Sequence, residues 1–302
     1  MKIFTEKIGD RGAQASFYLQ EANSSVDANR KAPFLIIVPG GAYCYTAWRE
    51  REPIAYEFIS KGFSCAIFDY ATEGAEFFDG KHDYSRDPVS AFPNPLIDLA
   101  KTIAAVKAHA TEWQLDAGSI NVIGFSAGGN LVAQLAAYWQ TPWLAKLTGL
   151  KAEQMHPDSV GLCYPALKMV DLSNHKIAIL NKVKVSIDLI NYAATGLDQS
   201  DERVAMINLD NAVTGQFPRC FMWGTTEDVN CHVGDAISFA GELAQNKVPF
   251  EFHMYQKGNH GMSLADKRTD GRPDHALSDP QAASWVKLYL GWLSENKLYH
   301  LL

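Results

Sequence analysis

An α/β fold built on a mostly parallel sheet is what three features of this 302-residue sequence predict. Short apolar runs alternate with segments of helical periodicity along the chain. Several of those runs are apolar nearly throughout, as strands are when helices cover both faces of a parallel sheet. The stretch VIGFSAGGNLVAQL (122–135) also sets a glycine-flanked serine where such a run passes into an amphipathic segment.

In chain order, strands are expected at 34–38 (FLIIV), 63–68 (FSCAIF), 120–123 (INVI), 160–164 (VGLCY), 219–223 (RCFMW) and 250–255 (FEFHMY). Residues 27–33 are a polar connector before the first of these. The clearest helix covers 94–113, with Asn94 as N-cap and Pro95 at the first helical position. Leu96, Leu99, Ile103, Val106, Ala110 and Trp113 recur there at spacings of three and four and draw one apolar face. A second helix follows Ser126 and carries Leu131, Leu135 and Tyr138. A third covers 234–245, and a last one covers 280–293, where Trp285, Leu288, Tyr289, Trp292 and Leu293 form a core stripe. No internal repeat or low-complexity tract breaks the pattern, so 1–302 reads as one domain. Two stretches depart from the rhythm. Residues 72–95, rich in Gly, Asp, Pro and aromatics, read as a long loop. Residues 171–216 exceed a single crossover and read as a cap or lid insertion.

Composition narrows the function classes. Hydrophobic residues make up 47% and charged residues 20%, which supports a sizeable core. A net charge of −7 argues against a nucleic acid or an anionic membrane as partner. No apolar run approaches the roughly 18 residues of a membrane helix. Glu6, Lys7 and Asp10 interrupt any signal-peptide core, so a cytoplasmic protein is expected. The five cysteines (44, 65, 163, 220, 231) are an odd set without C-x-x-C spacing, and Cys65, Cys163 and Cys220 lie in strand-like runs as buried thiols. No His/Cys/Asp set has metal-ligand spacing and no phosphate-binding glycine motif is present, so neither metal nor cofactor is implied. Apolar stripes do not separate core from interface, so a homo-oligomer is compatible with the sequence.

The chemistry gathers around Gly124-Phe125-Ser126-Ala127-Gly128, which fits G-x-S-x-G. Small neighbours permit a sharp turn that exposes the serine oxygen; the same residues would also suit an ordinary strand-to-helix turn. A serine needs a base, and the base needs an acid. In a parallel sheet these come from loops after later strands, at the carboxyl edge. WGTTED (223–228) offers Asp228, with Glu227 as a rival, and QKGNHG (256–261) offers His260 between glycines. Developing negative charge on an acyl oxygen needs aimed N–H donors. Ala127 supplies one, and the turn PGGAY (39–43) supplies Gly41 and Ala42. Tyr43, Tyr45, Trp48 and Trp223 are candidates to shape a small pocket, with Tyr43 and Trp223 named as substrate-binding.

With those residues in place, the chain resembles the α/β-hydrolase esterases of the bifunctional feruloyl and acetyl-xylan esterase-like group, near the bacterial acetyl esterases. The resemblance runs over 33–293 and rests on PGGAY, WREREPIAYEFISKGFSCAIFDY (48–70), FPNPLIDLAKTIAAVKAHATEW (92–113), GFSAGGNL (124–131), MWGTTEDVN (222–230) and VPFEFHMYQKGNHGMSL (248–264). It implies an α/β-hydrolase fold and a serine carboxylesterase for short acyl esters, often acetyl groups on sugars or xylan fragments. Its pattern maps Ser126 as nucleophile, Asp228 as acid and His260 as base, with Gly41, Ala42 and Ala127 around the oxyanion. The chain departs from the group at Ala42, where a third glycine is usual, at Asn130, where histidine is common, and at Asn230-Cys231, where Val-Pro often follows the acid. Formamide or peptide hydrolysis on the same fold, and a non-catalytic binding homologue, are the competing readings.

Overall fold

A computed structural model describes residues 1–22, 25, 27–180 and 182–300. Position 181, inside the excursion marked out in the sequence, lies outside the described residues, as do 23, 24, 26, 301 and 302. The chain opens with β1 (Lys2–Ile8), β2 (Ala13–Leu19) and β3 (Ala32–Val38), then α1 (Glu52–Ile59) and β4 (Ser64–Asp69). It continues through α2 (Asn94–Ala108), β5 (Leu115–Phe125), α3 (Ala127–Tyr138), α4 (Pro142–Thr148), α5 (Ala152–Met155) and β6 (Ser159–Cys163). The excursion holds β7 (Ile177–Leu180), β8 (Val183–Ser186), α6 (Ile187–Thr195) and α7 (Asp201–Ile207). The chain ends with β9 (Cys220–Thr225), α8 (Val233–Gln245), β10 (Phe250–Tyr255) and α9 (Trp285–Glu295).

Eight strands form one sheet in the order β1-β2-β4-β3-β5-β6-β9-β10. From β4 to β10 every pairing is parallel, and β2 and β1 add on antiparallel at one edge. The parallel strands from β4 across to β9 are buried on both faces over most of their length, while β10, at the edge, is half-buried. Phe34, Ile36 and Val38 of β3 face a core shared with α2, α3 and α8, whereas Leu35 and Ile37 face one shared with α1 and α9. All six strands read from the sequence are present, within one or two residues except at β5, which begins at Leu115. The first two strands were not read. KIFTEKI mixes apolar with charged residues without a regular period, because β1 is an edge strand with most of its side chains exposed.

The α2 stripe is buried as expected. The helix itself stops at Ala108, however, and Ala110 and Trp113 reach the core from the following turns. Pro93 occupies the N-cap position, not Asn94, whose Nδ2 instead donates to the Val89 carbonyl at 3.3 Å. The last helix begins as a 3₁₀ turn over Ala282–Ser284 before α9, and its aromatic stripe is core. The excursion is tied down at several points. Ser90 Oγ donates to the Ala193 carbonyl, the Phe92 N–H to that of Ala194, and Tyr138 Oη to that of Met206. It therefore packs on the 72–95 loop and on α3, and Val185, Ile190 and Ile207 join the main core. Cys44, Cys65, Cys163 and Cys220 are buried free thiols. Among the described residues no helix is long and apolar enough to cross a membrane.

Candidate active site

Ser126 follows β5 and occupies the N-cap position of α3, with φ 54° and ψ −119°. That left-handed backbone costs a serine on the order of 1–3 kcal/mol, and such strain gathers where a side chain must be presented. Gly128 explains part of the small-residue pattern: a Cβ there would lie 2.2 Å from the Val38 carbonyl oxygen and 2.4 Å from that of Pro39. The elbow thus packs directly against the turn after β3. Small residues are needed because two backbones meet there.

The loops after β9 and β10 bring the other two groups to the same edge. Ser126 Oγ is 2.7 Å from His260 Nε2, and His260 Nδ1 is 2.7 Å from Asp228 Oδ2. A carboxylate only accepts, so Nδ1 carries the proton and Nε2 is left to accept from the serine hydroxyl. Asp228 is 5% exposed, and its second oxygen accepts the N–H groups of Asn230 and Cys231 at 2.8 and 2.9 Å. Burial works against its charge, but His260 and those N–H groups hold its pKa below the usual carboxylate value. Burial likewise opposes a charged His260, yet the Cys231 sulfur and the Asp228 carboxylate outweigh it and hold the imidazole pKa well above its ordinary value. Burial pushes the Cys231 thiol itself up, and the neighbouring His260 pulls it down. Glu227, the rival carboxylate, is engaged elsewhere. Its carboxylate accepts the Gly258 N–H at 3.1 Å and so steadies the histidine loop.

The PGGAY turn is wound as tightly as its composition suggests. Gly41 has φ 128°, and a Cβ there would fall 1.9 Å from the Tyr45 carbonyl oxygen. Ala42 has φ 55° and Tyr43 φ 59°, so Ala42 holds the left-handed conformation that glycine adopts without cost. Among the described residues nothing accepts the N–H groups of Gly41, Ala42 or Ala127. Gly40 Nα, by contrast, donates to Glu50 Oε2 at 2.7 Å.

Two expected pocket residues are placed elsewhere. Trp223 is fully buried in β9, stacked on Trp285 with ring centroids 5.5 Å apart, and is core. Tyr43 is 2% exposed; its hydroxyl donates to Asn130 Oδ1 at 2.8 Å and accepts from Gln134. Its role is to brace the turn. Trp48, at 60% exposure, is the aromatic of the four left open to solvent. Asn130 is fully buried and donates to the Ile207 carbonyl, which joins α3 to α7. Sequence spacing showed no metal-ligand set. Folding nonetheless brings donor atoms of Asp228, Cys231 and His260 within 4.8 Å of one another. Two of those atoms already face each other, so the trio is first an acid–base pair with a thiol beside it.

Residues 81–264 match the family described as alpha/beta hydrolase fold. The chain belongs to that family. This α/β hydrolase is 25% identical over 241 residues to endo-1,4-beta-xylanase B of Butyrivibrio fibrisolvens, covering 78% of this chain and 33% of the relative. It is 20% identical over 266 residues to an acetylxylan esterase of Xylanibacter ruminicola, covering 87% of this chain and 46% of the relative. It thus spans between a third and a half of the length of these curated relatives. Its fold is that of the carboxylesterase Cest-2923 from Lactobacillus plantarum, with a TM-score of 0.76, 23% identity and 99% of each chain covered. An acetyl ester-xyloside bifunctional hydrolase from Caldicellulosiruptor lactoaceticus gives a TM-score of 0.71 at 23% identity, over 96% of this chain and 90% of that one.

Proposed function

We propose that this α/β hydrolase is a serine carboxylesterase for short-chain acyl esters, acetyl esters of sugars or xylan fragments among them. The observation that carries the reading is the unbroken line Ser126 Oγ to His260 to Asp228, with both links at 2.7 Å, on a strained elbow. Ser126 Oγ attacks the acyl carbonyl carbon while Nε2 of His260 takes its proton. The imidazolium so formed is stabilised by Asp228. The N–H groups of Gly41, Ala42 and Ala127 receive the oxyanion, which they can do because no acceptor among the described residues engages them. His260 then protonates the departing alkoxide. A water deprotonated by His260 attacks the acyl-enzyme and releases the carboxylic acid. The names of the relatives, an acetylxylan esterase and an acetyl ester-xyloside hydrolase, support the acetyl-sugar assignment. The 171–216 segment acts as a small cap, held to α3 through Asn130 and Ile207.

The test is hydrolysis of p-nitrophenyl esters from acetate to octanoate, by the wild type and by Ser126→Ala. Activity confined to short chains and lost by at least about 10³-fold in the variant is expected. Acetylated xylo-oligosaccharides then test the alcohol side. Wild-type activity that survives in Ser126→Ala would sink the triad, and turnover of formanilides in preference to esters would sink the esterase reading.

A further inference from the structure

Glu50 is a buried carboxylate that the proposed chemistry does not use. It lies at the end of a 3₁₀ turn over Trp48–Glu50 and is 2% exposed. Both of its oxygens are engaged. Oε2 accepts the Gly40 N–H at 2.7 Å, and Oε1 accepts the Tyr164 hydroxyl at 2.7 Å. Tyr164 Oη in turn accepts the Ser263 N–H at 2.9 Å, three residues beyond His260. The Tyr164 ring also packs edge-on to the His260 ring, with centroids 5.3 Å apart. Tyr164 follows β6 with φ 36°, a left-handed backbone that a tyrosine keeps only when its surroundings enforce it. A buried carboxylate costs several kcal/mol in lost hydration unless hydrogen bonds replace it, so this one needs a compensating use.

The chain of contacts has two ends, and each end is a part of the candidate machinery. Gly40 leads into Gly41 and Ala42. It also sits against the nucleophile, since a Cβ on Gly40 would lie 2.8 Å from Ser126 Cβ and 2.9 Å from Glu50 Oε2. Ser263 belongs to the loop that carries His260, and Ser263 Oγ donates to the Arg49 carbonyl beside Glu50. The Gly41 and Ala42 donors and the base that serves Ser126 come from segments more than two hundred residues apart in sequence. Glu50 and Tyr164 tie those segments together by hydrogen bonds.

We propose that Glu50, acting through Tyr164, is the positioning residue that sets the Gly40–Ala42 turn against the His260 loop. The inference rests on the serine esterase reading and goes beyond it. A displaced turn leaves ester binding intact and weakens only the tetrahedral state, because the donors meet the oxygen once it carries charge. Glu50→Ala and Tyr164→Phe therefore lower kcat on p-nitrophenyl acetate by about 10- to 100-fold with KM within about threefold. Affinity for a boronic acid, which forms a tetrahedral adduct on the serine, falls by the same factor as kcat/KM. Glu50→Gln recovers most of kcat, since its amide oxygen can still accept the Gly40 N–H and its nitrogen can donate to Tyr164.

Thermal unfolding of each variant accompanies the kinetics, and Tyr164→Phe carries the test where Glu50→Ala fails to fold. Unchanged kcat in Tyr164→Phe, or equal loss in Glu50→Gln and Glu50→Ala, would overturn the role. So would loss in KM alone. Labelling of Ser126 by a fluorophosphonate keeps the two readings apart. Absent labelling and activity insensitive to Ser126→Ala defeat the esterase reading, whereas normal labelling with unaffected Glu50 and Tyr164 variants defeats only the positioning role.

Discussion

Asp98 is the most consequential charge outside the site, and its stability effect can be calculated in sign and size. It lies on α2 at 1% exposure, beneath the β1–β2 turn, and a Cβ on Gly9 would come 2.6 Å from its Oδ1. Among the described residues neither carboxylate oxygen has a hydrogen-bond partner. Burial raises its pKa to about 6, with Arg11 and Lys101 pulling the other way. The unfolded chain releases this proton near 3.8, and the folded chain holds it to about 6. Over that interval the folded state binds more protons, so stability falls as pH rises and stays lower above it. A shift of about two units at 1.36 kcal/mol each sets the penalty at about 3 kcal/mol at neutral pH. Asp98→Asn removes the charge at nearly constant shape. Urea unfolding of wild type and variant, followed by circular dichroism at pH 4.5 and pH 8, reads the difference. The variant gains about 2–3 kcal/mol on the wild type at pH 8 and much less at pH 4.5. A gap of the same size at both pH values would refute the argument, because charge would then not be its source.

Two further outcomes concern the site. Because His260 must be neutral to accept the serine proton, and its pKa is held above the ordinary value, kcat/KM should rise with pH through a midpoint above 6.5. Asp228→Asn should move that midpoint down and cut kcat by about 10³- to 10⁴-fold; an unmoved acid limb would show that another group sets it. Gly128→Ala should cost about 1–3 kcal/mol in urea unfolding and most of the activity, since its methyl group meets the carbonyls of Val38 and Pro39. A normally active, normally stable variant would mean that the elbow and the turn do not need their close approach.

The residues legible in the sequence share one property: their meaning is local. Ser126 is announced by its neighbours, His260 by the glycines around it, and the PGGAY turn by its composition. Each needs only a few adjacent positions and a strand before it. Parallel strands were legible for the same reason, being apolar nearly throughout, while β1 was not, because an edge strand with most side chains exposed carries charges among its apolar residues. Tyr43 and Trp223 were placed in a pocket because an aromatic beside a motif reads the same whether it faces a ligand or a core. Only the fold separates them, by stacking Trp223 on Trp285 and closing Tyr43 over Asn130.

Buried polar groups are the least legible, and the site depends on several. Glu50 stands in a charged run, WRERE, which in one dimension looks solvated. Its partner Tyr164 is 114 residues away, so no local pattern could pair them. Asn130 shows the same rule from the other side. The amide at this position accepts from Tyr43 and Gln134 while donating to the Ile207 carbonyl. A buried side chain that must both accept twice and donate once suits an amide. Asn130 thus braces α3, the PGGAY turn and α7 at one point, a role that no run of adjacent residues could announce.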